Sequence, residues 1–171
     1  VTAASATWAA ELQAFAAGRA AAARNTVSNG SFEEGLKGWG LREASRVAID
    51  PTTATLGAAS VRLDGAGSAD AFVNAAQSLK LKPATKYVLR CDIKRSQFSS
   101  GTISVDVIER DRKDVEWTYR RCGDRPVSGD APGAWGHYEL RFQTSDRLLE
   151  AMLMLYNIKS GATAWYDNVE L

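Results

Sequence analysis

The residues best equipped for chemistry lie in "ERDRKDVEWTYRR", residues 109–121. Trp117 and Tyr119 are two apart, so in an extended strand they share a face. Arg110, Arg112, Arg120 and Arg121 lie beside them in sequence, and Gln97 lies a little upstream. Aromatic planes stack on the C–H faces of sugar rings. Guanidinium forks and amides bond hydroxyls, and Arg also matches carboxylate or sulfate. Trp117, Tyr119, Arg110, Arg120 and Gln97 are therefore the candidate ligand-binding set. The alternative is that Trp117 and Tyr119 form the core face of their strand and the arginines make local ion pairs in a solvated loop.

A second group lies in "VSNGSFEEGLKGWG", residues 27–40. Asn29-Gly30 is a strong turn dipeptide, since both residues tolerate positive φ. Two acids, Glu33 and Glu34, follow at once. On its own, such a turn reads as a solvated corner. Asn29-Gly30-Ser31 also matches a glycosylation sequon, but the turn already explains it.

Catalytic signatures are missing. The sequence has no G-x-S-x-G, H-E-x-x-H or phosphate-binding loop. Its 20 acids form pairs by chance, so carboxylate pairing alone does not argue for glycoside hydrolysis. His137 is the only histidine, and His137-Tyr138 is a faint match to a polysaccharide lyase site. The two cysteines, Cys91 and Cys122, are too few and too far apart for a zinc site. They are compatible with one disulfide or with two buried thiols.

Composition narrows the class. Of 171 residues, 45% are hydrophobic and 24% charged, enough for one packed domain with some chain to spare. The formal net charge of +1 gives no basic field for nucleic acid or anionic lipid. No run approaches the roughly 20 apolar residues of a membrane helix.

The elements that must position these residues follow from periodicity. Residues 1–26 are Ala-rich, with Trp8, Leu12 and Phe15 on one helical face and Arg19 and Arg24 near the end. This predicts a helical linker or the tail of an upstream domain, in a chain that is part of a longer protein. From residue 27 the period is two. Strands are expected over 45–50, 59–64, 71–79, 86–95, 102–110, 115–121, 136–144, 148–158 and 163–171, separated by Gly- and Pro-containing turns. Such spacing predicts an all-β sandwich or barrel over 27–171. In 86–95, Tyr87, Leu89, Cys91 and Ile93 share a face, so Cys91 points inward. Cys122 has the opposite parity to Trp117 and Tyr119. If Cys122 faces the core, the two aromatics face out; if they are core, Cys122 points away. Trp39, Trp135 and Trp165 are expected to serve packing, Trp165 as a core residue in preference to Tyr166.

Five motifs then fall in one order: "NGSFEEGLKGW", "GAASVRLDG", "QSLKLKPATKYVLRCDIK", "AWGHYELRFQT" and "GATAWYDNVEL". Together they resemble the carbohydrate-binding modules of families four, nine, sixteen and twenty-two. The resemblance covers residues 27–171. It implies a jelly-roll β-sandwich of two antiparallel sheets, preceded here by the Ala-rich helix. It also implies a non-catalytic module that holds a larger secreted or cell-surface (periplasmic) polysaccharide-degrading enzyme on its glycan, a poly- or oligosaccharide of neutral or acidic type. A neighbouring catalytic domain would be the partner, with no role for nucleic acid or membrane. The resemblance further implies a structural calcium held by Glu33, Asp167 and carbonyls from Asn29 or residues 57–64, with Glu34 as substitute ligand. The rival expectations are an accessory sandwich that packs on its neighbour without binding sugar and, behind it, a jelly-roll glycoside hydrolase or polysaccharide lyase.

Overall fold

The computed structural model describes residues 25–68, 70–97, 100–111, 117–123 and 131–171. Apart from its last two residues, the expected helical segment 1–26 lies outside the described residues. Ten strands are described: β1 (Gly40–Arg42), β2 (Val47–Asp50), β3 (Ser60–Asp64), β4 (Phe72–Leu79), β5 (Lys86–Arg95), β6 (Thr102–Asp111), β7 (Trp117–Cys122), β8 (Trp135–Gln143), β9 (Leu148–Ile158) and β10 (Thr163–Glu170). Nine of them coincide with the period-two segments. The tenth, β1, is too short to show a period.

The strands form two five-stranded antiparallel sheets, ordered β1-β4-β9-β6-β7 and β2-β3-β10-β5-β8. This is the expected all-β jelly-roll sandwich. Val73, Ala75, Ile103, Val105, Val107, Leu153 and Leu155 of the first sheet meet Val61, Leu63, Leu89, Cys91, Ile93 and Tyr166 of the second in one core. Burying that apolar face is what sets the register of every strand, since a one-residue slip would turn it to solvent.

The run "LLEAMLMLYNI" is a strand, β9, and it occupies the middle of the first sheet. Its core face is sealed, whereas Met152 and Met154 on the other face are only half-buried. The expectation for Trp165 is reversed. Tyr166 is the core residue, paired with Val61 and Ile93, and Trp165 sits outside opposite Arg62 and Lys94. Neighbouring strands decide this: only one parity of β10 matches the apolar faces of both β3 and β5. Trp165 is instead held at the surface by Asp50 Oδ2, 2.8 Å from its indole nitrogen. Trp135 is also half-buried, with its indole N–H 3.3 Å from Thr53 Oγ1. Trp39 does pack, 5.3 Å from the Phe32 ring.

The first described residues join the last strand. Thr26 N donates to Leu171 O and Val169 N donates to Gly30 O. The approach at Gly30 is so close that a β-carbon there would stand 2.0 Å from Val169 O. This is why the opening turn carries glycine.

Candidate functional site

Cys122 points into the core, 5% exposed, opposite Val105. Alternation then turns Trp117, Tyr119 and Arg121 to the outer face of the first sheet. Tyr119 is 54% exposed and Trp117 half-buried.

The strand registers assemble that face row by row. Trp117 lies opposite Arg110, which lies opposite Glu150. Tyr119 lies opposite Ile108, then Met152 and Ser78. Arg121 lies opposite Asp106, then Met154, Ala76 and Gly40. The last row runs Ser104, Tyr156, Asn74, Arg42. Sequence reasoning joined Arg110 to the aromatics, and the fold does so too. Arg110 sits 5.5 Å from the Trp117 ring centroid and 2.7 Å from Glu150 Oε1.

The polar centre was not foreseen. Asp106 is fully buried, yet on the outer side of the sheet. Its two oxygens accept from Arg121 Nε and Nη2 at 2.9–3.1 Å, and Oδ1 also accepts from Ser104 Oγ at 2.9 Å. A bidentate fork of this kind fixes the guanidinium plane. Tyr156 stands beside the pair, its ring edge-on to Phe72 at 6.0 Å. Burial first, then the negative charge of Asp106, push the Tyr156 phenol up to about 12, so its hydroxyl stays protonated. Arg42 lies over the Phe72 ring at 4.1 Å. The signal for Asp106 was present in "TISVDVIER", where a lone acid interrupts an apolar strand. Its partner is fifteen residues away and shows only through pairing.

Two expected members lie elsewhere. Arg120 has the parity of Cys122 and faces the other side, where its Nε is 3.6 Å from Glu109 Oε1. Gln97 is exposed just beyond β5 in the second sheet, near the start of β6, whereas Trp117 pairs at the far end of β6. His137 and Tyr138 diverge as neighbours in a strand must. His137 Nδ1 is 2.6 Å from Asp92 Oδ1 on the outside, and Tyr138 bonds Arg95 in the interior. They do not converge on a common reacting point.

The acids of the opening turn have a different task. Asp167, fully buried, accepts from Thr55 N at 2.6 Å, Leu56 N at 2.8 Å and Thr55 Oγ1 at 3.0 Å, all at Oδ2. Its Oδ1 accepts from Asn168 N at 2.7 Å. Glu33 Oε1 accepts from Ala58 N at 2.9 Å and Ala59 N at 3.1 Å. The two carboxylates thus clasp one loop, residues 55–59. Asn29 shapes the corner: its side chain bonds Gly35 O, Lys37 O and Glu34 N, and its carbonyl accepts from the Trp39 indole. Glu34 pairs with Lys37 at the surface. Among the described residues no three His, Cys, Asp or Glu side chains gather as a metal cluster. The oxygens are of the kind calcium prefers, and in this geometry backbone N–H groups bond both oxygens of Asp167 and Oε1 of Glu33.

Comparison with known proteins agrees with this architecture. The chain is 25% identical over 164 residues to the tRNA(Glu)-specific nuclease WapA of Bacillus subtilis subsp. natto (strain BEST195), an alignment covering 88% of this chain. It spans only 7% of the length of that relative. Among solved structures it resembles a family 16 carbohydrate binding module, with a TM-score of 0.65 and 24% identity over 85% of this chain and 97% of that one. It also resembles the CBM22-1-GH10 modules of Clostridium thermocellum endo-1,4-beta-D-xylanase 10B complexed with xylohexaose. There the TM-score is 0.65 and the identity 16%, over 86% of this chain and 28% of that one. At these identities the structural likeness speaks for the fold. A family model described as "carbohydrate binding domain" matches residues 24–157, most of the sandwich, and the chain belongs to that family.

Proposed function

We propose that this chain is a non-catalytic module that binds a polysaccharide across the outer face of the first sheet. One observation carries the reading: the buried Asp106, forked by the partly exposed Arg121, lies on the outer face of the first sheet between the exposed Tyr119 and the buried Tyr156. Such a face offers a plane for a sugar ring beside fixed hydrogen-bonding groups that cost little further ordering on binding. Trp117, Arg110, Asn74 and Arg42 extend it. Arg42, stacked on Phe72, keeps its planar N–H edge available and supports a carboxylate-bearing glycan over a neutral one. The chain would work outside the cell or at its surface, where it would keep an attached domain near the glycan and raise local concentration. The attached domain is proposed to be a polysaccharide-degrading enzyme. The match to a long nuclease favours a second reading, in which the same module serves a carrier of different activity.

A glycan array probed with the full chain tests the reading. Binding to at least one neutral or uronate-containing polysaccharide is expected. Tyr119→Ala should then weaken it roughly tenfold or more, by analogy with about 1–3 kcal/mol for a base stacked on an aromatic ring. Its melting temperature should barely move, since the ring supports little core. No binding to any glycan would favour the accessory-sandwich reading.

Calcium at the Glu33–Asp167 clasp is a further proposal. Glu33, Asp167 and loop carbonyls would hold it, and the Thr55 and Leu56 amides would have to turn away from Asp167. The ion would supply charge neutralisation and a rigid tie between the opening turn, the 55–59 loop and β10.

A further inference from the structure

Cys91 on β5 and Cys122 on β7 belong to different sheets. Their sulfurs approach to 3.9 Å across the core, with the residues 1% and 5% exposed. They are not joined. Among the described residues β7 is an edge strand paired with β6 alone, and Cys122 is its last residue. The same strand carries Trp117, Tyr119 and Arg121. Gly123, which follows, is fixed by Arg95 Nη2 bonding its carbonyl at 3.1 Å. A β-carbon at Gly123 would stand 2.4 Å from Ile93 Cδ1, so β7 ends hard against β5. The two thiols are the only cysteines in the chain, so no other intramolecular pairing competes.

We propose that Cys91 and Cys122 are a cross-linking site, oxidised to a cystine that staples the edge strand β7 to the opposite sheet. The two sulfurs face each other at 3.9 Å and must close to about 2.0 Å, the length of an S–S bond. The oxidant is a small-molecule disulfide such as oxidised glutathione. The Cys122 thiolate, exposed when the end of β7 opens or before folding is complete, attacks one sulfur of that disulfide and expels a thiolate. The Cys91 thiol then loses its proton and attacks Cys122 Sγ, expelling the second thiolate. Two cysteine thiols are oxidised, one disulfide is reduced to two thiols, and the protons pass to the leaving groups. The hydrogen bond between the two sulfurs, with burial, pushes the Cys91 thiol well up, so the closed fold contains little thiolate. Oxidation should therefore be slow in the folded protein and fast during refolding. The cross-link closes a loop of about thirty residues and restrains the unfolded chain.

The test is refolding of the full chain in mixed reduced and oxidised glutathione, followed by denaturation, alkylation and mass measurement. Expected is a monomer about 2 Da lighter than the reduced chain and resistant to alkylation. Its melting temperature should lie roughly 10 °C above the reduced form. Cys122→Ala should melt at the same temperature with and without reductant. A product in which both cysteines take up alkylating agent would overturn the proposal. So would glutathione adducts alone or a disulfide-linked dimer. Because these readouts involve no glycan, they stand apart from the binding assignment.

Discussion

Asp106 shows how much one side chain depends on its partner. A carboxylate with no exposure survives in a sheet only because Arg121 forks onto it and Ser104 donates to it. Removing the guanidinium leaves the charge buried with one neutral donor, a situation far costlier than never having made the pair. Arg121 is itself 41% exposed, which screens the pair and reduces the loss below that of a wholly buried one. Arg121→Ala should destabilise the protein by about 2 kcal/mol, read as a lower urea midpoint at unchanged slope. An unchanged midpoint would show that water satisfies Asp106, and that the pair is not the rigid centre of the face. Tyr119, by contrast, is exposed, so its removal should be felt in binding and not in folding. That two neighbours on one strand should respond so differently follows from what each covers.

At the scale of elements, the opening turn and the final strand form one unit. The turn positions Gly30 against Val169 and Glu33 against the amides of residues 58 and 59. Gly30→Ala must push apart two backbone segments, because the obstacle is a main-chain carbonyl and not a side chain that can swing away. The expected cost is about 3 kcal/mol, at the upper end for overpacking, measured by thermal or denaturant unfolding. A variant as stable as the parent would mean that the turn and β10 separate without penalty, and the clasp would lose its structural role. The edge strand β7 is the complementary case. It contributes Trp117 and Tyr119 but, among the described residues, pairs on one side only, so its position leans on Cys122 and Gly123 at its end.

For the whole molecule, the clasp on residues 55–59 decides whether a cation adds stability. If calcium binds the folded state there, saturating it should add RT ln(1 + [L]/Kd) to the stability and so raise the melting temperature, and a chelator should reverse the rise. Glu33→Ala should abolish that response. A melting temperature indifferent to calcium and chelator would leave the amide-filled clasp, as described, to hold the loop by itself.

The sandwich was legible from the sequence because its physics is local. Alternation in nine segments and turn residues between them follow from burying one face of each strand, and this needs no knowledge of partners. The ordered motifs pointed to the family for the same reason: they record turns and strand starts. The inward parity of Cys91 was also readable, since "KYVLRCDIK" alternates cleanly. Other features depend on which strands become neighbours. Trp165 and Tyr166 are adjacent aromatics of similar burial value, and only pairing with β3 and β5 sends Tyr166 in and Trp165 out. The face of Trp117 was open until Cys122 met Val105 and Cys91 in the core, which turned Arg120 to the opposite face; Gln97 lies apart because it follows β5 in the other sheet. Asp106 with Arg121, and Tyr156 with Asn74 and Arg42, are cross-strand sets drawn from distant segments. Side-chain direction within a strand is a property of the sequence, but which side chains meet across strands is a property of sheet order, and sheet order is chosen by the energy of the whole core.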